Sequence, residues 1–599
     1  MKVLLAALNA KYIHSNLAVY SLRAYGEKFL GISKEGGDSE EDTFIEIAEY
    51  TINQPVMKIL KDIYERKADL VLFSCYIWNI RMIKQLVEDF SKVAPDIDIW
   101  LGGPEVSYNS ADILKKYSGI KGIIKGEGEE TFCDILRAYG DRNEDRDKNR
   151  EKAEDRDRTL AMIRGIDFRT DRGEIQENGQ REYMDIDELP FLYSRPGSHK
   201  DMLEDFENRI IYYETSRGCP YRCSYCLSAV NQKPRFRKLD KVKEELGYFL
   251  KSGVSQVKLI DRTFNCRHDR TMEIWKFLKE NDNGVTNFHF EITGDILSKE
   301  EIELLNTMRA GQLQLEIGVQ SVNPYTLKAI NRAVDFDKLS EAVRRIRVKD
   351  NVHIHLDLIA GLPFEDYDSF KRSFNSVFFL KPHQLQLGFL KVLKGSPIEK
   401  ECERYGLKFT AMPPYEVLES KWLSYSQIVS LKGVEEMVEI YYNSGQFENS
   451  LAVLLEHFPS PFDFFEDLSE WYASEGLELM NISRNGRYES LLKFSGQMGL
   501  AAEESLRKAM VKDYYLRENA KNRPEFFGES EVERSFEKSF YREEAEFHRY
   551  LKGGRFSTDQ PRVLRKLTHM EKIDGVYYLF DYENRNPMNN NARMIEIGR

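Results

Sequence analysis

The sequence predicts an α/β protein in three parts: a doubly wound, Rossmann-like parallel sheet, a partial (β/α)6 barrel of the TIM type, and a mainly α-helical C-terminal part. Short apolar runs alternate with helical patterns twice, over residues 1–140 and 207–395. Such alternation is typical of parallel sheets covered by helices. Beyond residue 395 the strand pattern fades. A chain of 599 residues is also too long for one hydrophobic core.

Composition and charge argue against some classes of partner. Charged residues make up 31% of the chain and the net charge is −12, whereas nucleic-acid binding needs clustered Lys and Arg. We therefore expect a small-molecule substrate rather than nucleic acid. No apolar stretch approaches the about 18 residues of a membrane span, so we expect no membrane partner. The cysteines outside one cluster are scattered, which favours the reducing cytosol.

Residues 1–140 contain five β/α repeats, whose strands lie in KVLLAAL, TFIEIAEY, DLVLFSCYIW, IDIWLGG and GIIKGEGEE. The first run is interpreted as a strand because no small-residue cleavage site of a signal peptide follows it. In a doubly wound sheet, ligands bind beyond the carboxyl ends of the strands. Small, glycine-rich and hydrogen-bonding residues at these ends predict a binding crevice. Its candidate residues are Asn9, Ser74, Cys75, Gly102, Gly103, Glu105, Gly126 and Gly128.

Residues 141–206 are predicted to be a charged insertion and a connector. About twenty residues from 139 onward alternate in charge without an apolar face, and such a run cannot bury enough surface to fold independently. We expect a solvated insertion, with a surface helix carrying ion pairs as the alternative. Residues 165–195 predict a small strand pair and an arm that ends near Pro190.

The second series, over residues 207–395, has six strands, in RIIYYETS, QVKLID, FHFEIT, QLQLEIGVQS, VHIHLDLIAGLP and HQLQLGFL. Barrel enzymes carry their chemistry at the carboxyl ends of the strands. A cysteine cluster comes directly after the first of them. Residues 396–599 form a helical part without a catalytic motif, which ends in a strand, an Asn-rich turn and a strand.

The cluster SRGCPYRCSYC places Cys219, Cys223 and Cys226 at C-x3-C-x2-C spacing. A disulfide is disfavoured by the odd number of thiols. Structural zinc needs four protein ligands, yet the next cysteine is Cys266 and no histidine lies within about fifteen residues of the cluster. A [4Fe-4S] cluster held by three thiolates would leave one iron open to another ligand.

The string CPYRCSYC resembles the signature of the radical S-adenosylmethionine (SAM) superfamily, in which an aromatic residue, here Tyr225, precedes the third cysteine. This resemblance implies a [4Fe-4S] cluster whose open iron binds SAM. An electron from the cluster then cleaves SAM to a 5′-deoxyadenosyl radical. It also implies a low-potential electron donor such as flavodoxin or ferredoxin.

The resemblance further implies that side chains at the barrel strand ends contact SAM. Polar groups could hydrogen-bond its ribose and methionine parts, and the IAGLP backbone could support its adenine. These candidate residues are Asp261, Glu291, Glu316, Gly318, Gln320, Ile359 and Gly361.

A doubly wound domain before such a barrel resembles the cobalamin-dependent subgroup of this superfamily. The segments SCYIWN, LGGPEVS and GEGEETF resemble cobalamin-domain segments and occur in the expected order. One motif departs from many cobalamin carriers, because NAKYIHSN lacks the Asp and Gly of D-x-H-x-x-G. His14 is therefore not expected to ligate cobalt. The resemblance covers roughly residues 1–395.

We expect a radical enzyme that methylates an unactivated carbon of a small molecule with methylcobalamin as the methyl donor. Three alternatives remain open at this point. They are a radical cyclisation, rearrangement or oxidation without methyl transfer, a nucleic-acid modifying or binding module, and a zinc-stabilised scaffold that is not an enzyme.

Overall fold

The structure is a computed structural model that describes residues 1–31, 43–140, 149–193, 202–230 and 233–598. The chain divides into two units. The first comprises Met1–Glu291, Ile330–Arg332 and Leu390–Leu418, and the second comprises Ile292–Ala329, Ala333–Phe389 and Glu419–Arg599. Each unit is described by itself.

The first unit begins with a seven-stranded sheet in the order β2-β1-β3-β4-β5-β6-β7. Strands β1 to β5 are parallel, and β6 and β7 continue the sheet in antiparallel pairing. The predicted Rossmann-like sheet and the small strand pair after it are thus present. The elements are β1 (Lys2–Asn9), α1 (Leu17–Leu30), β2 (Phe44–Thr51), α2 (Val56–Glu65), β3 (Leu70–Ser74), α3 (Ile80–Val93), β4 (Asp98–Gly102), α4 (Pro104–Ser107), α5 (Ser110–Lys116), β5 (Gly122–Ile124), α6 (Glu129–Gly140), α7 (Asn149–Met162), β6 (Ile166–Arg169) and β7 (Ile175–Glu177).

Strand β1 shows why this sheet is covered on both faces. Alternate residues of a strand point to opposite faces, and Leu4 and Leu8 pack in one core cluster whereas Val3 and Leu5 pack in another. All four side chains are fully buried. A run of apolar residues without polar alternation is typical of such a doubly covered parallel strand.

The charged run after α6 differs from the expected solvated insertion. Residues 141–148 lie outside the described residues, but α7 is a helix, which agrees with the alternative of a surface helix with ion pairs. Arg156 on α7 pairs with Asp98 (3.3 Å) and with Asp171 (3.1 Å). The buried side chain of Leu160 on α7 adds an apolar contact. Ion pairs with neighbouring strands and one apolar contact therefore attach a helix that lacks an apolar face of its own.

The first unit also contains the first half of the second β/α series. Strands β8, β11 and β12 are parallel neighbours, and the short strands β9 and β10 pair antiparallel on either side of the cysteines. The elements are β8 (Ile211–Tyr213), β9 (Ser216–Arg217), β10 (Arg235–Phe236), α8 (Leu239–Ser252), β11 (Gln256–Leu259), α9 (His268–Glu280) and β12 (Asn287–Ile292).

The second unit contains the second half of this series, in which β13, β14 and β15 are parallel neighbours. Buried and half-buried residues alternate along β13, as expected for a strand with helices on one face only. The six predicted parallel strands are therefore present, three in each unit. The elements are α10 (Lys299–Leu305), β13 (Leu313–Gln320), α11 (Pro324–Ala329), α12 (Phe336–Arg347), β14 (His353–Ala360), α13 (Tyr367–Phe378) and β15 (Gln384–Phe389).

Residues 390–418, which we call the strap, follow β15 and belong to the first unit. The strap doubles back on itself: Val392 N donates to Tyr415 O (2.9 Å) and Val417 N donates to Leu390 O (2.8 Å). Its elements are α14 (Cys402–Tyr405), β16 (Lys408–Phe409) and the start of β17 (Val417–Glu419).

The rest of the second unit is mainly helical and has an aromatic core that includes Phe462, Phe464 and Phe465. The expected final strand, turn and strand are present as β19 and β20, and β18, which was not predicted, completes an antiparallel sheet. The elements are α15 (Tyr425–Met437), α16 (Glu448–Leu455), α17 (Pro461–Ser474), α18 (Arg484–Gln497), α19 (Glu503–Arg517), α20 (Arg534–Phe547), α21 (Pro561–Leu567), β18 (Thr568–Ile573), β19 (Val576–Asp581) and β20 (Arg593–Ile597). Within the described ranges, no helix has the length and apolar character needed to cross a bilayer.

Candidate active site

The three clustered cysteines lie on one loop at the carboxyl end of β8, between β9 and β10. Gly218 precedes the first of them with φ +93°, a left-handed conformation that favours glycine. Cys219 and Cys223 are buried and Cys226 is half-buried, and all three are free thiols. We call residues 218–226 the cysteine loop.

Asp261, at the end of β11, anchors the chain just before the cysteine loop. Its carboxylate accepts hydrogen bonds from Thr215 N (3.1 Å), Thr215 Oγ1 (2.7 Å) and Ser216 Oγ. It is almost fully buried, and this burial raises the pKa of Asp261. Thr263 Oγ1 lies 3.4 Å from Cys219 Sγ. The structure thus gives Asp261 a positioning role, and its contact with SAM stays a prediction.

Arg217, directly before the loop, is held by carboxylates. It pairs with Glu214 (2.9 Å) and with Glu129 at the start of α6 (2.5 Å). Glu129 is buried, and Arg217 lowers the pKa of its carboxyl against the desolvation that raises it. This ion-pair network links the Rossmann-like sheet to the cysteine loop. Sequence analysis missed both residues, although Glu129 lies in the GEGEETF segment.

The middle of the cysteine loop is held by Ile330, Asn331 and Arg332, which lie far from this loop in sequence. Ile330 O accepts a hydrogen bond from Ser224 N (2.8 Å), and Asn331 Nδ2 donates to Arg222 O (3.0 Å). Arg332 Nη1 lies 3.9 Å from Cys223 Sγ. Burial raises the pKa of the Cys223 thiol, and the Arg332 guanidinium opposes this shift. No sequence motif indicated these residues.

The donor set of this loop consists of three free thiols. Structural zinc needs four protein ligands, whereas a [4Fe-4S] cluster can be held by three thiolates, each through a different iron. Among the residues that the structure describes, no group of three or more His, Cys, Asp or Glu side chains is arranged to hold a single metal ion. Tyr225 packs beside these thiols, and desolvation raises the pKa of its hydroxyl.

The carboxyl edge of the Rossmann-like sheet contains a cavity of about 80 Å³. Apolar side chains, including Leu5, Val19 and Leu22, form part of its wall. The volume is about half of the ~150 Å³ that accommodates a benzene ring. The cavity therefore takes a small group and not a macrocycle, which would have to lie over the edge. The predicted crevice residues that line it are Ser74, Gly102, Gly103, Gly126 and Gly128.

The glycines of this crevice have different roles. Gly126 has φ +75°, and a Cβ built on it would meet nothing within 4 Å, so it leaves open space. Gly103 has φ +107°, but its Cβ would lie 2.5 Å from Cys75 O. Gly103 is therefore required by its contact with protein backbone, and the approach of a ligand to it stays a prediction.

Three other predicted crevice residues are engaged with protein. Asn9 Nδ2 donates to His14 O (2.9 Å) and Glu49 Oε1 (2.8 Å). Cys75 is fully buried in the apolar core. Glu105, 3% exposed, pairs with Lys394 of the strap (3.5 Å). These side chains shape the edge of the sheet and do not face the cavity.

The loop after β3 adds an aromatic platform that sequence analysis did not single out. Tyr76 and Trp78 stack with ring centres 4.4 Å apart and planes inclined by 5°. Trp78 is 44% exposed, and its Nε1 donates to Leu8 O (3.2 Å).

His14 contacts the Tyr212 hydroxyl through its Nδ1 (2.6 Å), and burial lowers the pKa of His14.

The remaining SAM candidates, apart from the half-buried Glu291 on β12, lie in the second unit. Glu316, Gly318 and Gln320 share the half-buried face of β13. Gln320 has φ +71°, which bulky residues rarely adopt, and the pairing with β14 shifts register beside it. Such local strain is often stored at functional sites. Ile359 ends the corresponding face of β14, and Gly361 (φ +86°) follows it.

Sequence comparisons agree with this architecture. Residues 4–136 match a family model described as the B12 binding domain, residues 213–377 match the radical SAM superfamily, and residues 403–595 match a family described as a protein of unknown function (DUF4080). The fold and the site therefore define a radical SAM protein. More particularly, the chain belongs to those radical SAM proteins that carry an N-terminal B12-binding domain, here followed by a DUF4080 domain.

Two curated relatives share low identity with the chain. The cobalamin-dependent radical SAM methyltransferase TokK of Streptomyces tokunonensis is 24% identical over 68% of this chain and 58% of its own length. The 2-(S-pantetheinyl)-carbapenam-3-carboxylate methyltransferase of Streptantibioticus cattleyicolor is 22% identical over 71% of this chain and 65% of its own. The matches thus span less than two thirds of each relative.

Among solved structures, the cobalamin-dependent SAM radical enzyme OxsB, with aqua-cobalamin and SAM bound, superposes with a TM-score of 0.55. It is 13% identical, and the match covers 94% of this chain and 83% of that one. At this identity the likeness concerns the fold.

Proposed function

We propose that the protein is a cobalamin-dependent radical SAM enzyme that cleaves SAM reductively and methylates an unactivated carbon of a small molecule. One observation carries this proposal. The same unit holds a loop with three free thiols at a barrel strand end and a glycine-lined cavity at the edge of a Rossmann-like sheet. The methyltransferases among the curated relatives support the methyl transfer.

In this proposal Cys219, Cys223 and Cys226 hold a [4Fe-4S] cluster, which when bound supplies the electron that cleaves SAM. The protein's own part is positioning. Asp261 holds the chain before Cys219, and Ile330–Arg332 hold the loop around Cys223. Burial of two of the three thiols keeps water from the sulfurs.

Cobalamin would lie along the carboxyl edge of the Rossmann-like sheet and supply the methyl group when bound. Gly126 would leave room for it, while Ser74, Gly102 and Gly128 line the cavity at this edge. The Tyr76 and Trp78 pair would offer a flat apolar surface at the same edge. We propose further that Glu291, Glu316, Gly318, Gln320, Ile359 and Gly361 contact SAM, as the family resemblance implies.

The proposal also includes an electron donor and a cellular compartment. A reductive cleavage needs a low-potential donor, for which flavodoxin and ferredoxin are the candidates. The seven cysteines are all free, and free thiols are typical of reducing compartments. This supports the cytosol as the site of action.

Anaerobic purification with hydroxocobalamin, followed by metal and product analysis, tests this function. We expect about four irons per chain, a low-temperature paramagnetic signal after dithionite treatment, and 5′-deoxyadenosine from added SAM. A comparison of metabolites with and without the protein should then show a methylated product together with S-adenosylhomocysteine. One zinc and no iron would overturn the proposal, and 5′-deoxyadenosine without any methylated product would point to a radical reaction without methyl transfer.

A further inference from the structure

The loop that follows β4, which includes the short helix α4 (Pro104–Ser107), lies at the crevice and is held from one side by the strap. Glu105 on this loop is buried, and its carboxylate pairs with Lys394 (3.5 Å) and accepts a hydrogen bond from the Tyr415 hydroxyl. The Lys394 ammonium also lies 5.2 Å from the centre of the Tyr415 ring. A buried carboxylate needs such partners because an unpaired buried charge is costly. Both partners come from the strap.

Three residues along the same loop, a second contact joins the two segments. The ring of Tyr108 lies against Gly395 of the strap, where a built Cβ would stand 2.2–2.6 Å from three ring atoms. Gly395 also has φ +81°. Glycine is thus required here both by its backbone conformation and by the close approach of an aromatic ring.

The strap reaches the cysteine loop only a few residues further on. Ile398 N donates to Ser224 O (2.9 Å), and Ser224 lies directly between Cys223 and Tyr225. The buried Ser396 stiffens this stretch, because its N–H donates to Leu393 O (3.1 Å). Residues 394–398 therefore contact the loop at the crevice at one end and the cysteine loop at the other.

These contacts matter because the proposed reaction uses two cofactors on one carbon. The substrate carbon would have to lie within reach of the deoxyadenosyl group and also of the methyl group that bound cobalamin would supply. A misplacement of about 1 Å can cost on the order of a hundredfold in rate. The spacing between the two loops must therefore be held by some rigid element.

We propose that the strap is a positioning element that sets the spacing between the crevice and the cysteine loop, with Gly395 and its contact to Tyr108 as the critical point. This proposal rests on the proposed function, because it concerns the spacing of the two cofactors. It goes beyond that function in assigning a role to residues 390–418, which carry no catalytic motif.

The test uses the full chain loaded with the iron-sulfur cluster and hydroxocobalamin and reduced with dithionite. Cob(II)alamin and the reduced cluster are both paramagnetic, so the cluster speeds the electron-spin relaxation of cob(II)alamin in a distance-dependent way. We expect Gly395→Ala to bind both cofactors and to shift this relaxation enhancement, because its methyl group pushes the Tyr108 ring away. A merely structural role would lower stability without moving this spectroscopic distance.

Three further variants make the result specific. Gly173→Ala carries a similar left-handed strain (φ +85°) but would meet nothing within 4 Å, so it should leave the enhancement unchanged. The double variant Tyr108→Ala/Gly395→Ala removes the collision, so it should bring the relaxation enhancement back toward wild type. The effects of the two substitutions would then not add, as expected for residues in contact. Should Gly395→Ala fail to fold, Tyr415→Phe, which removes the hydroxyl bonded to Glu105, should shift the enhancement in its place.

The outcomes separate the two proposals. Wild-type protein that binds both cofactors, together with an unchanged enhancement in Gly395→Ala or an equal shift in Gly173→Ala, would overturn the role of the strap alone. Wild-type protein that takes up no cobalamin would overturn the proposed function, and the role of the strap with it.

Discussion

The cysteine loop is held in place by side chains, whereas the crevice is kept open by their absence. Asp261 and Arg332 each contribute a charged group that contacts or anchors the cysteine loop. At the crevice, Gly126 leaves space that no described atom fills within 4 Å of its missing Cβ. The difference follows from the size of the groups to be bound. A small cluster needs a few thiols at fixed positions, while a large flat macrocycle needs backbone that it can approach closely.

The largest effect should come from removing one thiol of the cysteine loop. Cys223→Ala should abolish the reduced-cluster signal and all cleavage of SAM, because the remaining two thiolates cannot hold the cluster. Binding of hydroxocobalamin, measured by its absorbance, should stay as in wild type, because the crevice does not depend on these thiols. Cys133→Ala is the matched control, since Cys133 is a buried thiol on α6, outside the loop and the strap. Retained cleavage in Cys223→Ala would contradict the site.

An intermediate effect should come from filling the open crevice. Gly126→Val should weaken binding of hydroxocobalamin by about tenfold or more, which corresponds to about 1.4 kcal/mol, while the cluster signal remains. Gly253→Val serves as control, because Gly253 also has a left-handed φ (+65°) with nothing within 4 Å but caps α8 away from the cavity. Equal loss of cobalamin in both variants would mean that backbone strain, and not the occupied space, causes it.

The smallest effect concerns a carboxyl in the second unit that is anchored in the same manner as Asp261. Glu365 is buried and accepts hydrogen bonds from Ser321 Oγ (2.6 Å) and Ser373 Oγ (2.8 Å). Burial raises the pKa of Glu365 from 4.5 to about 7. Between these values the folded state keeps a proton that the unfolded state has released, so stability falls as the pH rises through this window.

Glu365→Gln should remove this pH dependence, because Gln stays neutral and its amide oxygen can still accept the two hydroxyls. At pH 5 the variant should melt at the temperature of wild type, and at pH 8 it should melt roughly 2–4 °C higher. Thermal unfolding at both pH values measures the difference. Glu341→Gln, on an exposed residue of α12, should show no such pH-dependent change. A lower melting temperature of Glu365→Gln at pH 8 would show that the charged form is the stable one.

Much of the fold could be predicted because its signals are local. Apolar runs and helical periods identified the parallel strands of both β/α series, and the family matches and the structure confirm the predicted fold class. The helix α7 was expected only as the alternative to a solvated insertion, because its attachment depends on Asp98 and Asp171, which lie outside it in sequence. Strand β18 was missed in a region where helical patterns dominate.

The candidate site could be predicted only in part. The three cysteines lie within eight positions, so their spacing could be recognised from a single sequence. Arg332 is 109 residues away from Cys223, and no pattern in a single sequence connects the two. For Gly103 and Glu105 the structure adds contacts with protein atoms that the sequence did not indicate, and their contact with a ligand stays a prediction.

By itself, the sequence determined the order of the domains and the chemistry of the thiol loop. Both depend on residues that are neighbours along the chain, whose periodicity and spacing can be read without coordinates. Only the tertiary structure decided which distant groups hold that loop, which glycines face open space, and that residues 394–398 touch both the crevice and the cysteine loop. Those features depend on packing between segments up to about three hundred residues apart, where burial and charge pairing select partners that local pattern does not encode.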